Sequence, residues 1–214
     1  MKQPLGVILA GGQATRMGGG DKGRHMLGDR TILQHVVDRL EPQVAGLALN
    51  ANGDSARFDD LSLPVIADNI GGFAGPLAGV LAGLDWAAEQ GADTIVTAAA
   101  DTPFFPCDLV PQLLLATEGM EHRLALAATP RGEGEVTKSM SRSGLVRHPT
   151  FGIWPVALRG SLRSALDDGL RKVVLWTDPH DGRLAEFPTA GGDPFFNVNT
   201  ADDLEEARRM VGKE

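Results

Sequence analysis

Residues 5–23 read LGVILAGGQATRMGGGDKG, and this stretch decides the class of fold. Its first part is a short apolar run with two β-branched residues between Pro4 and Gly11, which predicts a buried strand of a parallel sheet. The glycine-rich part therefore leaves the carboxyl end of a first strand, the edge at which open α/β sheets bind ligands. The stretch predicts an α/β fold with a site directly after its first strand.

The glycine-rich part is suited to a polyphosphate. Glycines let a ligand approach main-chain N–H groups, and Arg16 and Lys22 add positive charge. A Walker loop is excluded, because Lys22 is followed by glycine rather than Ser or Thr. Residues 18–23 match G-x-G-x-x-G literally but lie beyond the first tight turn, where that pattern acts. A flexible linker is the other interpretation, and the preceding strand and the two cations argue against it.

Composition restricts the class of protein. The 214 residues are 43% hydrophobic and 22% charged, as is ordinary for a globular protein. This length fits one large domain or two small ones, and since the sequence has no internal repeat or clear linker we expect a single domain over residues 1–214. The formal net charge of −8 argues against a nucleic-acid or membrane-surface binder. A single cysteine, Cys107, excludes an internal disulfide and is typical of a reducing compartment. Since no apolar stretch of the sequence is long enough to span a bilayer, we expect a cytoplasmic protein.

Strand and helix patterns alternate along the chain. Short apolar elements occupy residues 5–10, 44–49, 63–67, 94–100, 124–128 and 151–156, with brief strand candidates at 173–176 and 195–198. Helical patterns mark residues 31–40, 76–89, 108–116 and 201–210, the last capped by Thr200. This alternation predicts a three-layer α/β/α fold around a Rossmann-like, mostly parallel sheet.

Two carboxylates follow predicted strands. Asp101 ends the strand at 94–100, and Asp68 ends the one at 63–67. The carboxyl ends of parallel strands meet at one edge, so both acids are expected near the glycine loop. A hard cation such as Mg²⁺ binds such an oxygen ligand and bridges it to phosphate. Asp101 taken alone is also typical of a turn or a helix N-cap, as Asp-x-Pro sequences often are, and that alternative stays open.

Two Asn pairs extend this pattern. Asn50 with Asn52, and Asn197 with Asn199, each place two amides on one face of an extended chain. Amides at strand ends can hold a base, a ribose or a metal-bound water, but Asn is also a common turn residue. The polar, Gly- and Ser-rich segment 131–147 predicts a long loop, either a solvated insertion or a cover over substrate.

Six motifs carry a family resemblance that runs from residue 5 to about residue 208. They are LAGG-x3-RMGG-x-DKG from Leu9, NAN from Asn50, GPLAG from Gly75, Asp-Thr-Pro from Asp101, HPT from His148 and NVNT from Asn197. Together they resemble the molybdenum cofactor guanylyltransferases. Other nucleotidyltransferases share only the first motif, so the specificity of the resemblance comes from NAN, GPLAG and NVNT. LAGG and PLAG also resemble the guanylyl enzymes more than their cytidylyl relatives.

The resemblance implies a reaction between GTP and molybdenum-bound molybdopterin, which gives molybdopterin guanine dinucleotide and pyrophosphate. The terminal phosphate of molybdopterin would attack the α-phosphorus in line, so positioning and charge neutralisation would dominate catalysis. Mg²⁺ is the implied cofactor. The implied protein partners are those that deliver molybdopterin and the apo-molybdoenzymes that receive the product.

The resemblance also implies roles for individual residues. Catalytic roles fall on Arg16, Lys22 and Asp101, and Asp101 would ligate Mg²⁺. The nucleotide would contact Leu9, Ala10, Gly11, Gly12, Lys22, Asn50, Asp68 and Asp101. Molybdopterin would contact a separate set from C-terminal segments, namely His148, Arg171, Asn197 and Asn199. In this last region Lys172 replaces a family Arg and lacks the planar fork of a guanidinium.

Two other classes of function share part of this pattern. A nucleotidyltransferase for another acceptor, such as a cytidylyl or sugar-phosphate enzyme, would keep the glycine loop and Asp101. A non-catalytic GTP-binding module would keep the loop without needing an acid that binds a metal. Pyrophosphate release from each nucleoside triphosphate, with and without molybdopterin, distinguishes these functions.

Overall fold

A computed structural model describes residues 2–11, 22–71, 75–131 and 144–211. The strands are β1 (Leu5–Leu9), β2 (Met26–Leu27), β3 (Arg30–Thr31), β4 (Leu47–Asn50), β5 (Val65–Ile66), β6 (Thr94–Ala99), β7 (Ala125–Thr129), β8 (Val146–Pro155) and β9 (Arg183–Glu186). The helices are α1 (Ile32–Leu40), α2 (Pro76–Glu89), α3 (Leu109–Ala116), α4 (Arg159–Asp167), α5 (Val173–Thr177) and α6 (Ala201–Val211).

Seven of the described strands form one sheet, in the order β5-β4-β1-β6-β8-β7-β9. β8 runs antiparallel to both of its neighbours, and the other adjacent pairs are parallel. The chain builds outward from β1 through β4 and β5, and then returns to the other side of β1 with β6. Ligands bind at such a switch point in open α/β sheets, so a site is expected at the carboxyl ends of β1 and β6.

Helices cover both faces of the sheet. On one face α1 and α3 pack against strand residues that include Ile8 and Val96. On the other face α2, α4 and α5 pack against residues that include Val7 and Ile95. Neighbouring residues of one strand enter opposite cores because side chains alternate with period two. The predicted three-layer α/β/α fold is confirmed. Within the described ranges, none of the helices has the length and apolar character that crossing a membrane would require.

A smaller core joins early and late parts of the chain. The β2–β3 hairpin leads into α1, whose start is fixed by a capping box between Thr31 and Gln34. Leu27 of the hairpin and Ile32 of α1 pack with Val198 and with buried residues of α6. Helix α6 therefore lies against the segment that follows the glycine loop.

Both brief strand predictions are wrong. Residues 173–176 lie in helix α5, where Val173 and Trp176 are buried in the same core at helical spacing. An apolar run of four residues is compatible with a strand or with a helix. In the folded chain it forms a helix, because the two residues that enter the core, Val173 and Trp176, are three positions apart. Residues 195–198 have no strand assignment, and the N–H of Val198 donates to the Asp101 carbonyl at 2.8 Å. This segment crosses the end of the sheet instead of extending it.

Other boundaries also differ from the sequence predictions. β4 begins at Leu47 rather than residue 44, and β8 begins at Val146 rather than residue 151. The predicted loop 131–147 therefore ends in a strand, and its residues 132–143 lie outside the described residues. Patterning does not predict α4 or β9, because buried positions are sparse in both: Leu162 and Leu166 in α4, and Ala185 in β9.

Candidate active site

Most of the predicted nucleotide-binding residues share one location, the carboxyl edge of the sheet: Leu9, Ala10, Gly11, Lys22, Asn50, Asp68 and Asp101. Main-chain hydrogen bonds tie the end of β1 to both neighbouring strands. The N–H of Ala10 donates to the Asn50 carbonyl at 2.8 Å, and the N–H of Ala100 donates to the Leu9 carbonyl at 3.1 Å. Two further predicted residues lie outside the described residues, Gly12 and Arg16.

A cluster of two amides and one carboxylate forms where β4 and β5 end. Asn50 Nδ2 donates to Asp68 Oδ1 at 2.9 Å, and Asn52 Nδ2 donates to Asp68 Oδ2 at 2.7 Å. Asn52 Oδ1 also accepts the main-chain N–H of Asp68 at 2.9 Å. Gly11 faces this cluster, since a Cβ there would lie 3.5, 3.8 and 3.9 Å from polar atoms of the three side chains. The NAN motif thus brings both amides to one carboxylate.

Helix α2 packs closely against this cluster. A Cβ on Gly79, in the first turn of α2, would lie 2.2 Å from Asn50 Oδ1 and 2.9 Å from Leu9 Cδ2. Gly75 precedes the helix with φ 68°, a conformation that glycine adopts without strain. The two glycines of GPLAG therefore have structural roles. Gly75 allows the turn into α2, and Gly79 lets the first turn of α2 pack directly against the ends of the strands.

Asp101 follows β6 at the switch point. Burial raises the pKa of its carboxyl above the usual range, and the Lys22 ammonium acts in the opposite direction. The hydroxyl of Thr102 lies 3.5 Å from Asp101 Oδ1 and also favours the ionised form. Partial burial therefore gives the ionised carboxylate an electrostatic cost, which Lys22 offsets in part and which a bound metal ion would relieve.

Lys22 connects distant parts of the chain beside this acid. Its Nζ donates to Asn199 Oδ1 at 2.8 Å, across 177 residues of sequence. The main-chain N–H groups of Asn199 and Thr200 donate to Asp203 Oδ2 at 2.9 and 2.8 Å. These hydrogen bonds, that of Asn199 above all, lower the pKa of Asp203. Because Asp203 lies in the first turn of α6, that helix holds Asn199 in place.

Asn197 is held beside Asp101 by a buried hydroxyl. Thr102 is 0% exposed, and its Oγ1 donates to Asn197 Oδ1. Asn197 and Asn199 therefore lie next to the predicted catalytic pair, Lys22 and Asp101. The residues predicted to contact molybdopterin and those predicted to contact the nucleotide therefore meet directly, since Lys22 and Asn199 are hydrogen-bonded.

His148 lies at the same edge of the sheet. It belongs to the part of β8 that extends beyond the pairing of β8 with β6, which ends at Thr97 and Gly152. His148 Nε2 shares a hydrogen bond of 2.9 Å with Thr129 Oγ1, and its ring stacks on Phe195 with centroids 4.2 Å apart. The segment 195–198 therefore contacts both His148 and Asp101.

Arg171 lies beside the start of α2. Its Nη1 donates to the carbonyls of Leu166 and Leu170, each at 2.8 Å, and so satisfies carbonyls near the end of α4. The carbonyl of Arg171 lies 3.7 Å from the Cβ position of Gly75, which precedes α2. The structure gives Arg171 different neighbours from those of Asn197 and Asn199.

A metal ion at Asp101 would depend on oxygens of the substrate. In the part of the chain that the structure describes, no group of three or more His, Cys, Asp or Glu could hold a metal ion by itself. Mg²⁺ is commonly held by one or two carboxylates together with substrate phosphates and water. The partly buried carboxylate of Asp101 fits that mode of binding.

Comparison with known proteins gives the family. The family described as "MobA-like NTP transferase domain" matches residues 6–181. A protein of Rhodopseudomonas palustris (strain HaA2) named molybdenum cofactor guanylyltransferase is 49% identical over 214 residues, covering 99% of this chain and 94% of that protein. One of Bradyrhizobium sp. (strain ORS 278) with the same name is 47% identical over 212 residues, covering 98% and 93%. The chain belongs to the molybdenum cofactor guanylyltransferase family. It is a nucleotidyltransferase.

Solved structures share the fold at low sequence identity. "Molybdopterin-guanine dinucleotide biosynthesis protein A" from Archaeoglobus fulgidus has a TM-score of 0.66 at 21% identity, covering 98% of this chain and 100% of that chain. A "4-diphosphocytidyl-2C-methyl-D-erythritol synthase" has a TM-score of 0.70 at 17% identity, covering 99% of each chain. Since proteins with such different names share the fold, side chains must set what each one binds.

Two supporting residues of this guanylyltransferase are missed by sequence reasoning. Thr102 follows Asp101 in the Asp-Thr-Pro motif, but nothing in the sequence indicates that its hydroxyl would bond Asn197. Asp203 has a detectable signal, because Thr200-x-x-Asp203 is a capping pattern, and the N–H of Asp203 donates to Thr200 Oγ1 at 3.1 Å. That pattern predicts the start of α6 and does not predict a link to the site.

Proposed function

We propose that this chain transfers GMP from GTP to molybdenum-bound molybdopterin, giving molybdopterin guanine dinucleotide and pyrophosphate. The observation that carries the proposal is the hydrogen bond between Lys22 and Asn199 beside Asp101. It brings residues expected at the triphosphate and at the acceptor together at the switch point of the sheet. The names of the relatives support both the nucleotide and the acceptor.

The chain's own residues act in this proposal by binding, orienting and neutralising charge. A phosphate oxygen of molybdopterin forms a bond to the α-phosphorus of GTP, and the bond from that phosphorus to the β-phosphate oxygen breaks. Pyrophosphate leaves with the electron pair. Lys22, and by sequence Arg16, supply positive charge to the triphosphate, and by sequence the glycine loop after β1 offers main-chain N–H groups to its oxygens. Mg²⁺ held by Asp101 adds further charge neutralisation when it is bound.

The base and the acceptor would lie on either side of β1. The base would lie on the side of β4 and β5, in front of the cluster that faces Gly11. Molybdopterin would lie on the side of β6 and β8, near Asn197, Asn199 and His148. Arg171 stays a predicted acceptor contact on the α2 side.

Pyrophosphate release tests the proposal against its alternatives. With GTP and molybdenum-bound molybdopterin together, we expect one pyrophosphate per dinucleotide formed. We expect little release when molybdopterin is omitted or when CTP or ATP replaces GTP. Higher turnover with CTP would indicate a cytidylyltransferase, and turnover with a sugar phosphate in place of molybdopterin would indicate another acceptor. GTP binding without release under any of these conditions would indicate a non-catalytic module.

We also propose a cytoplasmic location and delivery of the product to apo-molybdoenzymes. The free, exposed thiol of Cys107 supports a reducing compartment. Adding a purified apo-molybdoenzyme to the completed reaction tests delivery, and its activation by the newly formed dinucleotide is the expected result.

A further inference from the structure

The Asp68 carboxylate is held from two sides by amides. Asn50 Nδ2 donates to Oδ1 at 2.9 Å, and Asn52 Nδ2 donates to Oδ2 at 2.7 Å. Asn52 Oδ1 also accepts the N–H of Asp68 at 2.9 Å, so one amide makes two bonds to one residue. Two bonds from a planar amide restrict the rotation of the carboxylate more than a single bond can.

The two amides are supported differently. Asn50 is 2% exposed, and its Nδ2 also donates to the Ile66 carbonyl at 3.2 Å, so it is part of the packed sheet edge. Asn52 has an exposed side chain, and its own carbonyl accepts from Arg57 Nη2 at 2.7 Å. The Asn52 side chain can therefore be replaced without opening the core.

The remaining acceptor positions of Asp68 match one base edge. An ionised carboxylate has about four acceptor positions on its two oxygens. The amides use one on each oxygen, which leaves one on each for a ligand. Guanine presents N1–H and the 2-amino group side by side on its Watson–Crick edge, whereas adenine and cytosine present a donor beside an acceptor. A carboxylate with one open position on each oxygen is therefore selective for guanine.

Gly11 leaves the approach to this carboxylate open. A Cβ at Gly11 would lie 3.9 Å from Asp68 Oδ2 and 3.8 Å from Asn52 Nδ2. A longer side chain would fill the space in front of both groups. Gly11 lies two residues after the end of β1, at the start of the glycine loop. A base in this space would therefore lie next to the loop proposed to bind the triphosphate.

We propose that Asn52 is a positioning residue that sets the preference for guanine, because it turns the Asp68 carboxylate toward the base. The inference rests on the proposed function, since it places a guanine nucleotide in this site. Without the Asn52 amide, Asp68 Oδ1 is still held by Asn50, but Oδ2 is no longer held and turns away from the base. The contact of Oδ2 with the guanine 2-amino group is then lost, while the contact of Oδ1 with N1–H and the contacts with the triphosphate are kept.

Equilibrium binding of GTP and ITP tests this inference, because ITP lacks only the 2-amino group. We expect the wild-type protein to bind GTP roughly 10- to 100-fold more tightly than ITP, as follows from the usual strength of a hydrogen bond to a charged group. In Asn52→Leu, we expect the affinity for GTP to fall to that for ITP, with the affinity for ITP nearly unchanged. Asn52→Ser, whose side chain is too short to reach Asp68 Oδ2, is expected to give the same result should Asn52→Leu fail to fold.

Asn69→Leu is the matched control. Asn69 adjoins Asp68 in sequence, but its Nδ2 donates to Asp85 Oδ2 at 2.5 Å instead. This variant should keep the full preference for GTP. The inference is overturned if the Asn52 variants keep that preference, if they lose affinity for both nucleotides equally, or if the wild type does not distinguish them. Binding is measured without an acceptor, so absence of GMP transfer would overturn the proposed function separately.

Discussion

Asp101 lies partly buried directly after β6, where burial raises the pKa of its carboxyl and the Lys22 ammonium partly offsets that effect. The pKa of Asp101 is therefore higher in the folded protein than in the unfolded chain, so ionising this carboxyl lowers the free energy of unfolding. A carboxylate kept at such a position is typical of a functional site. Asp203 behaves in the opposite way, because hydrogen bonds from Asn199 and Thr200 lower its pKa and favour its charge. Of the two acids, Asp203 therefore stabilises the fold, and Asp101 is the one suited to binding.

Asp101→Asn is expected to abolish GMP transfer and to raise the melting temperature. The amide keeps the shape of the side chain, but it removes both the charge that would hold Mg²⁺ and the cost of burying that charge. Turnover with saturating substrates and calorimetric unfolding measure the two effects. Wild-type turnover at ordinary Mg²⁺ concentrations would contradict the role assigned to Asp101.

The raised pKa of Asp101 also predicts a pH dependence. Between the ordinary pKa of Asp and the raised value, the folded state binds more protons than the unfolded state at this residue. The contribution of Asp101 to the free energy of unfolding therefore falls as pH rises through that interval. We expect kcat/KM to rise over the same interval, because the ionised carboxylate is the active form. The stability difference between Asp101→Asn and the wild type should shrink at low pH, and a difference independent of pH would contradict this assignment.

At the scale of elements, the strand ends are the part of the site that sequence patterning predicts best. Parallel strands share one direction, so polar residues directly after apolar runs, such as Asn50 and Asp101, meet at one edge. Short elements are harder to predict, because four apolar residues such as 173–176 do not separate a period of 2 from one of 3.6. The NVNT motif predicts that the segment 195–198 lies near the site, but the strand predicted there does not form. The segment crosses the end of the sheet, where the N–H of Val198 donates to the Asp101 carbonyl.

Gly79→Ala is expected to lower both the free energy of unfolding and the affinity for GTP. Elsewhere in a helix this change is stabilising by up to about 1 kcal/mol. At Gly79 the added Cβ would lie 2.2 Å from Asn50 Oδ1, so Asn50 or the N-terminus of α2 must move. Gly160→Ala in α4 is the matched control, since a Cβ there would meet nothing within 4 Å. Denaturant unfolding and GTP titration compare the two variants, and similar results for both would contradict the packing role of Gly79.

At the scale of the whole molecule, the late part of the chain folds back onto the segment after the glycine loop. Helix α6 packs in a small core with Leu27, and Arg208 Nη2 donates to the Met26 carbonyl at 3.4 Å. The hydrogen bond from Lys22 to Asn199 belongs to the same closure. No local sequence pattern specifies which distant segments meet. The motifs therefore predict that Lys22 contacts the nucleotide and that Asn199 contacts molybdopterin, but they do not predict that the two side chains touch. Their direct contact requires the folded chain.

Lys22→Met is therefore expected to weaken the binding of both substrates. Loss of a charge-assisted contact should cost GTP binding about 1.5–3 kcal/mol. Molybdopterin binding should weaken as well, because Asn199 loses the group that holds its side chain. A double-mutant cycle with Asn199→Leu should show non-additive effects on molybdopterin affinity. Lys2→Met is the control, since Lys2 is exposed and pairs with Asp93 at 3.7 Å. Unchanged molybdopterin affinity in Lys22→Met, or additive effects in the cycle, would contradict this link.

The central claim is that this molecule moves the GMP unit of GTP onto molybdopterin. The most direct test follows the phosphorus atoms of GTP, labelled at the α-position in one reaction and at the γ-position in another, each with molybdenum-bound molybdopterin. We predict that the α-label appears in the dinucleotide and the γ-label in pyrophosphate, and that neither product forms with Asp101→Asn. A γ-label on molybdopterin, or an α-label that never leaves GTP with the wild-type protein, would contradict the account.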